Sequence, residues 1–351
     1  MLGFIIGVIV ALILSVLFML FRIQTLVSLV KTAKSRVDSF NKLNAALMLI
    51  VPVIGFILFI WYSGVASQYY LPEPASEHGK MTDGMFWITI YVITAMFLLT
   101  NVLLFFFAFR YQYKEGYKAS FFHDNTRLEI VWTIIPAAIM TWLVLYGNYI
   151  WWEIMKDPPK DAVVVELMGH QFAWKVRYPG KDNALGKYDF RLTDNVNEMG
   201  IDFEDKNAND DFMSGEIHIP VNHPILFKIR ARDVLHSVFA PHFRLKMDAV
   251  PGMPTQFLFT PTKTTEQMRT ELNNPKFNYE IACTEVCGRG HFAMRLIVIV
   301  EDEATYKKWY AAQKPFLENN PNYKGKGLNQ YLKKNLAESQ QNTKEKASLI
   351  P

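Results

Sequence analysis

Residues 283–294 read Cys-Thr-Glu-Val-Cys-Gly-Arg-Gly-His-Phe-Ala-Met, and this run holds both cysteines of the chain. Cys283, Cys287, His291 and Met294 put two thiols, an imidazole and a thioether on one short stretch. Such soft donors suit copper. A mononuclear blue-copper site uses one Cys, two His and a weak axial Met. A second Cys four residues after the first points instead to two metal ions sharing two bridging thiolates. The set still lacks a second imidazole, and the run Asp-Val-Leu-His-Ser-Val-Phe around His236 is its best source. The residues describe an electron-transfer protein with a two-copper centre. Two other chemistries use the same atoms. A Cys283–Cys287 disulfide fits an oxidising compartment but leaves His291 and Met294 without a role. Zinc held by two Cys and two His leaves Met294 idle.

Donors of this kind need a rigid frame. From about residue 161 the chain reads as short strands punctuated by Pro, Gly and Asn. Residues 163–176, 216–231, 256–259, 279–283 and 292–300 are strand-like. Several short strands at this spacing predict a β-sandwich or barrel. Tyr279, Ile281 and Cys283 alternate along one strand, and Phe292 opens the next. The ligands are then expected on a short loop between adjacent strands, with His236 supplied by a loop at the same end. The remaining histidines lack partners at ligand spacing and read as surface or hydrogen-bonded groups.

The first half has a different character. Residues 2–21, 45–63, 85–109 and 130–152 form apolar runs, each near the ~20 residues a membrane-spanning helix needs. Residues 22–44 carry Arg22, Lys31, Lys34, Arg36 and Lys42 against Asp38, and residues 110–128 carry Arg110, Lys114, Lys118 and Arg127 against two acids. Residues 64–84 hold one Lys and three acids. Positive loops stay cytoplasmic, so all three segments agree on a multi-pass topology with the N-terminus and everything after Trp152 outside. The first segment lacks a basic n-region and a small-residue cleavage site, and reads as a retained helix. Glu129, at the cytoplasmic start of the fourth run, is either a first-turn acid that complements the helix dipole or a proton-uptake carboxylate. The net charge of +4 over 351 residues is small and gives no nucleic-acid signal. Asp202, Glu204, Asp205, Asp210 and Asp211 read as a solvated loop or as a patch that steers a basic partner. Residues 303–313 suit a short helix. From about Asn319 the polar sequence reads as a tail that is disordered or ordered only by a partner.

The copper run, the segments Asp233-Val-Leu-His-Ser, Leu245-Lys-Met-Asp-Ala-Val-Pro-Gly and Glu129-Ile-Val-Trp-Thr-Ile-Ile-Pro, and two membrane helices followed by an outer β domain resemble subunit II of the haem-copper cytochrome c oxidases. The resemblance covers about residues 85–309. It implies a membrane α-helical part of four helices plus an all-β cupredoxin-like sandwich. The division would be an additional helix pair at 1–65, the family's transmembrane hairpin at 84–153, the copper domain at 161–302, and a short helix with a polar tail at 303–351.

The resemblance also implies a binuclear CuA centre. Cys283 and Cys287 would bridge two copper ions, His236 and His291 would each bind one, and Met294 and the Glu285 carbonyl would be weak ligands. The Glu285 side chain would face a Mg2+ ion at the boundary with subunit I. Glu129 matches the carboxylate at the mouth of the family's K proton pathway. The implied reaction is oxidation of cytochrome c and reduction of oxygen to water in subunit I of an aa3-type enzyme, coupled to proton pumping across a bacterial inner membrane.

The chain departs from the family in three ways. The first two helices are additional, and are expected to meet membrane lipid and another subunit or a neighbouring respiratory complex. The family's aromatic cluster reads Gly-His-Gln-Trp-aromatic-Trp, whereas here it is Phe172, Ala173 and Trp174, so electron uptake is expected at Phe172 and Trp174. No Cys-x-x-Cys-His follows the copper run, so the donor is expected to be a separate cytochrome c or cytochrome c domain.

Overall fold

A computed structural model describes residues 2–30, 33–114 and 116–348 of the chain, with side chains for 10–27, 41–114 and 116–340. Four long helices come first: α1 Leu2–Val30, α2 Ala33–Ala66, α3 Glu77–Arg110 and α4 Thr126–Met155. All four are long and apolar enough to cross a membrane. α3 carries Glu77 in its first turn and Arg110 in its last, the polarity that the helix dipole favours. Pro52 lies inside α2 and Pro136 inside α4. Each removes one helical hydrogen bond, a loss that membrane helices tolerate.

Contacts divide the chain into two units, one of Met1–Tyr70 with Thr89–Ile134 and one of Leu71–Ile88 with Ile135–Pro351. The first is helical. None of its side chains at 10–27 is buried, and most are apolar, which is how a lipid-facing helix looks outside its bilayer.

The second unit is built on ten strands. They are β1 Val163–His170, β2 Ala173–Tyr178, β3 Phe212–Ser214, β4 Ile217–Pro220, β5 Ile225–Ala231, β6 His236–Ala240, β7 Leu245–Ala249, β8 Thr255–Phe259, β9 Tyr279–Cys283 and β10 Arg295–Glu301. One sheet has the order β3-β2-β1-β5-β8 and the other β4-β10-β9-β6-β7. Buried Val165, Leu167, Phe227 and Ile229 of the first sheet and Val238, Ile281 and Val298 of the second share one core. Inward and outward residues alternate along β7 and β9, the pattern of strands with one face on the core. The C-terminal end of α4 belongs to this core, since Ile150 and Ile154 are buried in it. Arg244 fastens α3 to the sandwich, with Nε 2.6 Å and Nη2 2.7 Å from the Asp83 carboxylate oxygens.

Three expectations need correction. Residues 163–176 do not form one strand. They form the hairpin β1–β2, with Gln171 and Phe172 as the connection between His170 and its register partner Ala173.

The polar end is not a disordered tail either. After α5 Thr265–Glu271 and α6 Glu303–Ala311, the chain forms α7 Phe316–Asn319 and α8 Leu328–Ser348. Phe316 and Tyr323 pack on a second apolar cluster made by Met168, Met199, Ile201, Phe203 and Ala208. Phe203 stacks on Phe316 with 5.2 Å between ring centroids. The Glu204 carboxylate accepts hydrogen bonds from the backbone N–H groups of Asn329 and Gln330, and so caps α8 from a distant part of the sequence. Apolar periodicity is a poor guide to such a segment, because only a few aromatic side chains anchor it.

The acidic stretch is not a free loop. Asp202, Asp205, Asp210 and Asp211 each accept a backbone N–H inside the domain, from Glu204, Lys187, Lys181 and Gly186 respectively. Short carboxylates of this kind cap turns.

Candidate metal centre

β9 ends at Cys283, and β10 runs back antiparallel beside it with Ala282 opposite Arg295. The backbone N–H of Cys283 donates to the Met294 carbonyl at 3.1 Å, which closes the base of the loop carrying the remaining donors. Strand alternation turns the Cys283 side chain inward, and it is buried with Cys287 and Met294. The loop turns through Gly288, whose φ of +131° suits glycine, and ends in a short 3-10 turn at His291–Ala293. The second strand therefore opens at Arg295, three residues later than Phe292.

His236 is the first residue of β6, not part of a loop. β6 pairs with β9, with Val238 opposite Cys283, so the ladder itself brings the imidazole to the cysteines. Space for the ring comes from the other sheet. A Cβ on Gly169 would lie 2.9 Å from His236 Cδ2.

The donor atoms converge. Cys283 Sγ is 3.9 Å from His236 Nδ1 and 3.2 Å from the Glu285 carbonyl oxygen. Cys287 Sγ is 3.6 Å from His291 Nδ1 and 3.3 Å from Met294 Sδ. Donor atoms of His236, Cys283 and Cys287 all lie within 4.8 Å of one another, and all three residues are buried. Each sulfur thus has one imidazole and one weaker donor beside it. Burial, with Cys283 adjacent, pushes the Cys287 thiol up to about 11. A bound cation reverses that preference by stabilising thiolate. This soft, dry and converging set fits copper.

A second layer holds the donors. Asp233 Oδ1 is 3.0 Å from His236 Nε2, the ring nitrogen other than the one beside Cys283. Asp233 Oδ2 accepts the Gln171 N–H at 2.8 Å. Burial opposes ionisation of Asp233, but the Gln171 N–H, His236 and the Val234 N–H together hold its carboxyl below the usual range. The Gln171 side chain donates to the Cys287 carbonyl at 2.6 Å. Asp233 and Gln171 received no role from the sequence. The one available signal was Asp233's position three residues before His236, a spacing that also describes an ordinary turn.

The aromatic residues separate. Trp174 is buried, edge-on to His236 with centroids 6.0 Å apart. Phe172 is exposed and its ring covers the ligand loop, since a Cβ on Gly290 would lie 2.5 Å from Phe172 Cγ. Glu129 lies elsewhere, exposed in the first turn of α4. Of the other histidines, His218 is buried and paired with Glu216 and Glu301. Both ring nitrogens of His170 are buried, so a surface position does not hold there.

A two-sheet β-sandwich that gathers Cys, His and Met donors on a loop between adjacent strands defines a cupredoxin-like, copper-binding domain, here attached to membrane-spanning helices. Residues 163–301 match the family described as cytochrome C oxidase subunit II, periplasmic domain, and residues 64–148 match cytochrome C oxidase subunit II, transmembrane domain. The chain is 34% identical over 279 residues to alternative cytochrome c oxidase subunit 2 of Bradyrhizobium diazoefficiens, covering 78% of this chain and 93% of that one. It is 30% identical to cytochrome c oxidase subunit 2 of Thermostichus vulcanus, over 68% of this chain and 77% of that one. Among solved structures, the periplasmic domain of subunit II of cytochrome oxidase of Bradyrhizobium japonicum is similar over 44% of this chain and 95% of that one, at 22% identity and a TM-score of 0.30. The chain belongs to the cytochrome c oxidase subunit II family and is a subunit of a haem-copper oxidoreductase.

Proposed function

We propose that this subunit accepts electrons at a binuclear CuA centre and passes them to haem in subunit I of an aa3-type cytochrome c oxidase, where oxygen is reduced to water with proton pumping. The observation that carries this reading is the convergence of His236, Cys283, Cys287, His291, Met294 and the Glu285 carbonyl on one buried spot. Two bound copper ions would supply one-electron redox chemistry shared across two thiolates. The protein's part is rigidity. Cys283 and His236 sit on paired strands, and Asp233 and Gln171 hold the ring and the loop, so little reorganises when charge changes.

Around this centre, Phe172 and Trp174 are assigned to electron uptake, Phe172 exposed over the ligand loop and Trp174 buried against His236. The donor is a separate cytochrome c or cytochrome c domain. The Glu285 side chain is assigned to a Mg2+ ion at the boundary with subunit I, and Glu129 to proton uptake. The protein resides in a bacterial inner membrane with its N-terminus and copper domain on the periplasmic side. α1 and most of α2 precede the transmembrane match at residue 64. They are assigned to membrane lipid and to another oxidase subunit or a neighbouring respiratory complex.

Copper content and electron paramagnetic resonance of the detergent-solubilised full chain test the central reading. Two coppers per chain sharing one unpaired electron are expected. One copper with a localised signal would leave a blue-copper carrier, and a Cys283–Cys287 disulfide without copper would leave a structural subunit.

A further inference from the structure

A groove of about 640 Å³ runs between α2 and α3, lined from Asn44 at one end to Phe59 at the other. Asn44 to Phe59 spans roughly 22 Å at about 1.5 Å of rise per residue, against a hydrocarbon core of ~30 Å. Phe56, Phe59, Phe97 and Phe105 line it, and Phe56 meets Phe97 edge-on with ring centroids 5.8 Å apart. Helices that pack inside a membrane favour small side chains, which let their backbones approach. Here bulky aromatic side chains hold a slot open instead. Gly55 lines the slot, and a Cβ built on it would meet nothing within 4 Å. Such a slot suits a thin flexible chain better than a third helix.

The two ends of the groove differ. At the Asn44 end, the Asn41 side chain donates to the Tyr113 carbonyl at 2.5 Å, which ties α2 to the chain just beyond α3. Lys42, Arg110 and Lys114 adjoin this tie in sequence, and all three are exposed. The segments 22–44 and 110–128 that bound this end carry nine basic residues against three acids. Cations clustered at the end of a membrane helix attract anionic lipid headgroups. The Asn101 amide is turned back on its own helix, donating to the Phe97 carbonyl at 2.8 Å. Deep in the groove the contacts are therefore apolar, and charge is confined to one mouth.

We propose that this groove binds one anionic glycerophospholipid, with an acyl chain along the aromatic walls past Gly55 and the phosphate group at Lys42 and Arg110. Asn44, at the same mouth, donates its side-chain amide to an ester carbonyl. The inference deepens the assignment of α2 to membrane lipid and rests on it. One wall of the site belongs to a helix that mostly precedes the transmembrane family match at residue 64, so the site comes with the added helices.

The test uses the intact oxidase in bilayers and two photoactivatable lipids, phosphatidylglycerol and phosphatidylcholine, each with its reactive group in the acyl chain. Mass spectrometry reads adducts on the stretch 44–59, and the stretch 10–27 of α1 reports labelling by bulk lipid. Relative to that reference, phosphatidylglycerol is expected to label 44–59 about fivefold more than phosphatidylcholine does. Gly55→Leu fills the open space with a better helix former, and should lower this labelling about fivefold or more. Lys42→Gln combined with Arg110→Gln should leave the groove labelled but remove the preference for phosphatidylglycerol. Three results would overturn the proposal: equal labelling by the two lipids, labelling unchanged in Gly55→Leu, or a preference that survives loss of both cations. A stretch 44–59 that neither lipid labels would instead remove the assignment of α2 to lipid on which the proposal rests.

Discussion

The His236 ring is held at both nitrogens, with Nδ1 3.9 Å from Cys283 Sγ and Nε2 3.0 Å from Asp233 Oδ1. The carboxylate accepts the proton on Nε2, which leaves the Nδ1 lone pair for a metal. Removing such a partner typically costs ~10–100-fold in metal affinity. Asp233→Ala is therefore expected to lose copper to a competing chelator at concentrations about 10-fold lower or less. Asp233→Asn keeps an acceptor oxygen and should fall between. Equal copper retention in all three proteins would show that the contact does not position the ring.

Met294 Sδ lies 3.3 Å from Cys287 Sγ in a buried site. Met294→Leu conserves volume and removes a weak donor. Copper should be retained while the reduction potential rises, because axial ligation tunes the potential of such centres. Potentiometry on the purified protein reads this directly. Loss of copper would mean that Met294 holds the metal instead of tuning it.

Gly290 has no room for a side chain, with Phe172 Cγ 2.5 Å from where its Cβ would be. Overpacking of this kind costs about 1–3 kcal/mol. Gly290→Ala should lower stability by that amount, and adding Phe172→Ala should recover most of it. A double-mutant cycle by denaturant unfolding isolates the coupling. Additive losses would place the strain elsewhere.

Phe203 is buried between the lobe at 189–211 and the C-terminal helices, against Phe316 and Tyr323. Phe203→Ala should destabilise by about 3–5 kcal/mol. It should also release the C-terminal segment to limited proteolysis near residues 313–327. A segment as resistant as the wild type would show that its other contacts, among them Tyr323 Oη to Asp194 and Asn329 to Glu204, retain it without the Phe203 ring.

Asp211 sits in a buried network with Arg177, whose Nη1 is 3.2 Å away, and Arg177 in turn pairs with Glu166 at 2.6 Å. Burial pushes the Asp211 carboxyl up to about 7 against the pull of Arg177, from an ordinary value of 3.8. A raised folded value means that ionisation costs more in the fold than in the open chain. The contribution of Asp211 to stability is then present in full below the ordinary value and is lost as pH rises through about 7. Asp211→Asn cannot ionise. The stability of the wild type relative to this variant should fall steadily from about pH 4 to about pH 8 in thermal melts. A difference independent of pH would mean that Asp211 is ionised throughout.

Local spacing carried much of what the sequence determined about this protein. The donors at 283, 287, 291 and 294 lie within twelve residues of one another, so their chemistry could be read before any fold was known. The apolar runs and the basic loops between them identified membrane helices, because length and hydrophobicity alone decide whether a segment spans a bilayer. What only the tertiary structure decided are relations between distant residues. Strand pairing puts His236 beside Cys283. Absent side chains at Gly169 and Gly290 leave room for His236 and Phe172. The carboxylates of 202–211 turn inward to cap backbone that a composition count cannot see. Polar residues after 313 acquire order from a few aromatic contacts with a lobe more than a hundred residues earlier. Periodicity reports which face of an element is apolar. It does not report which other element will cover that face.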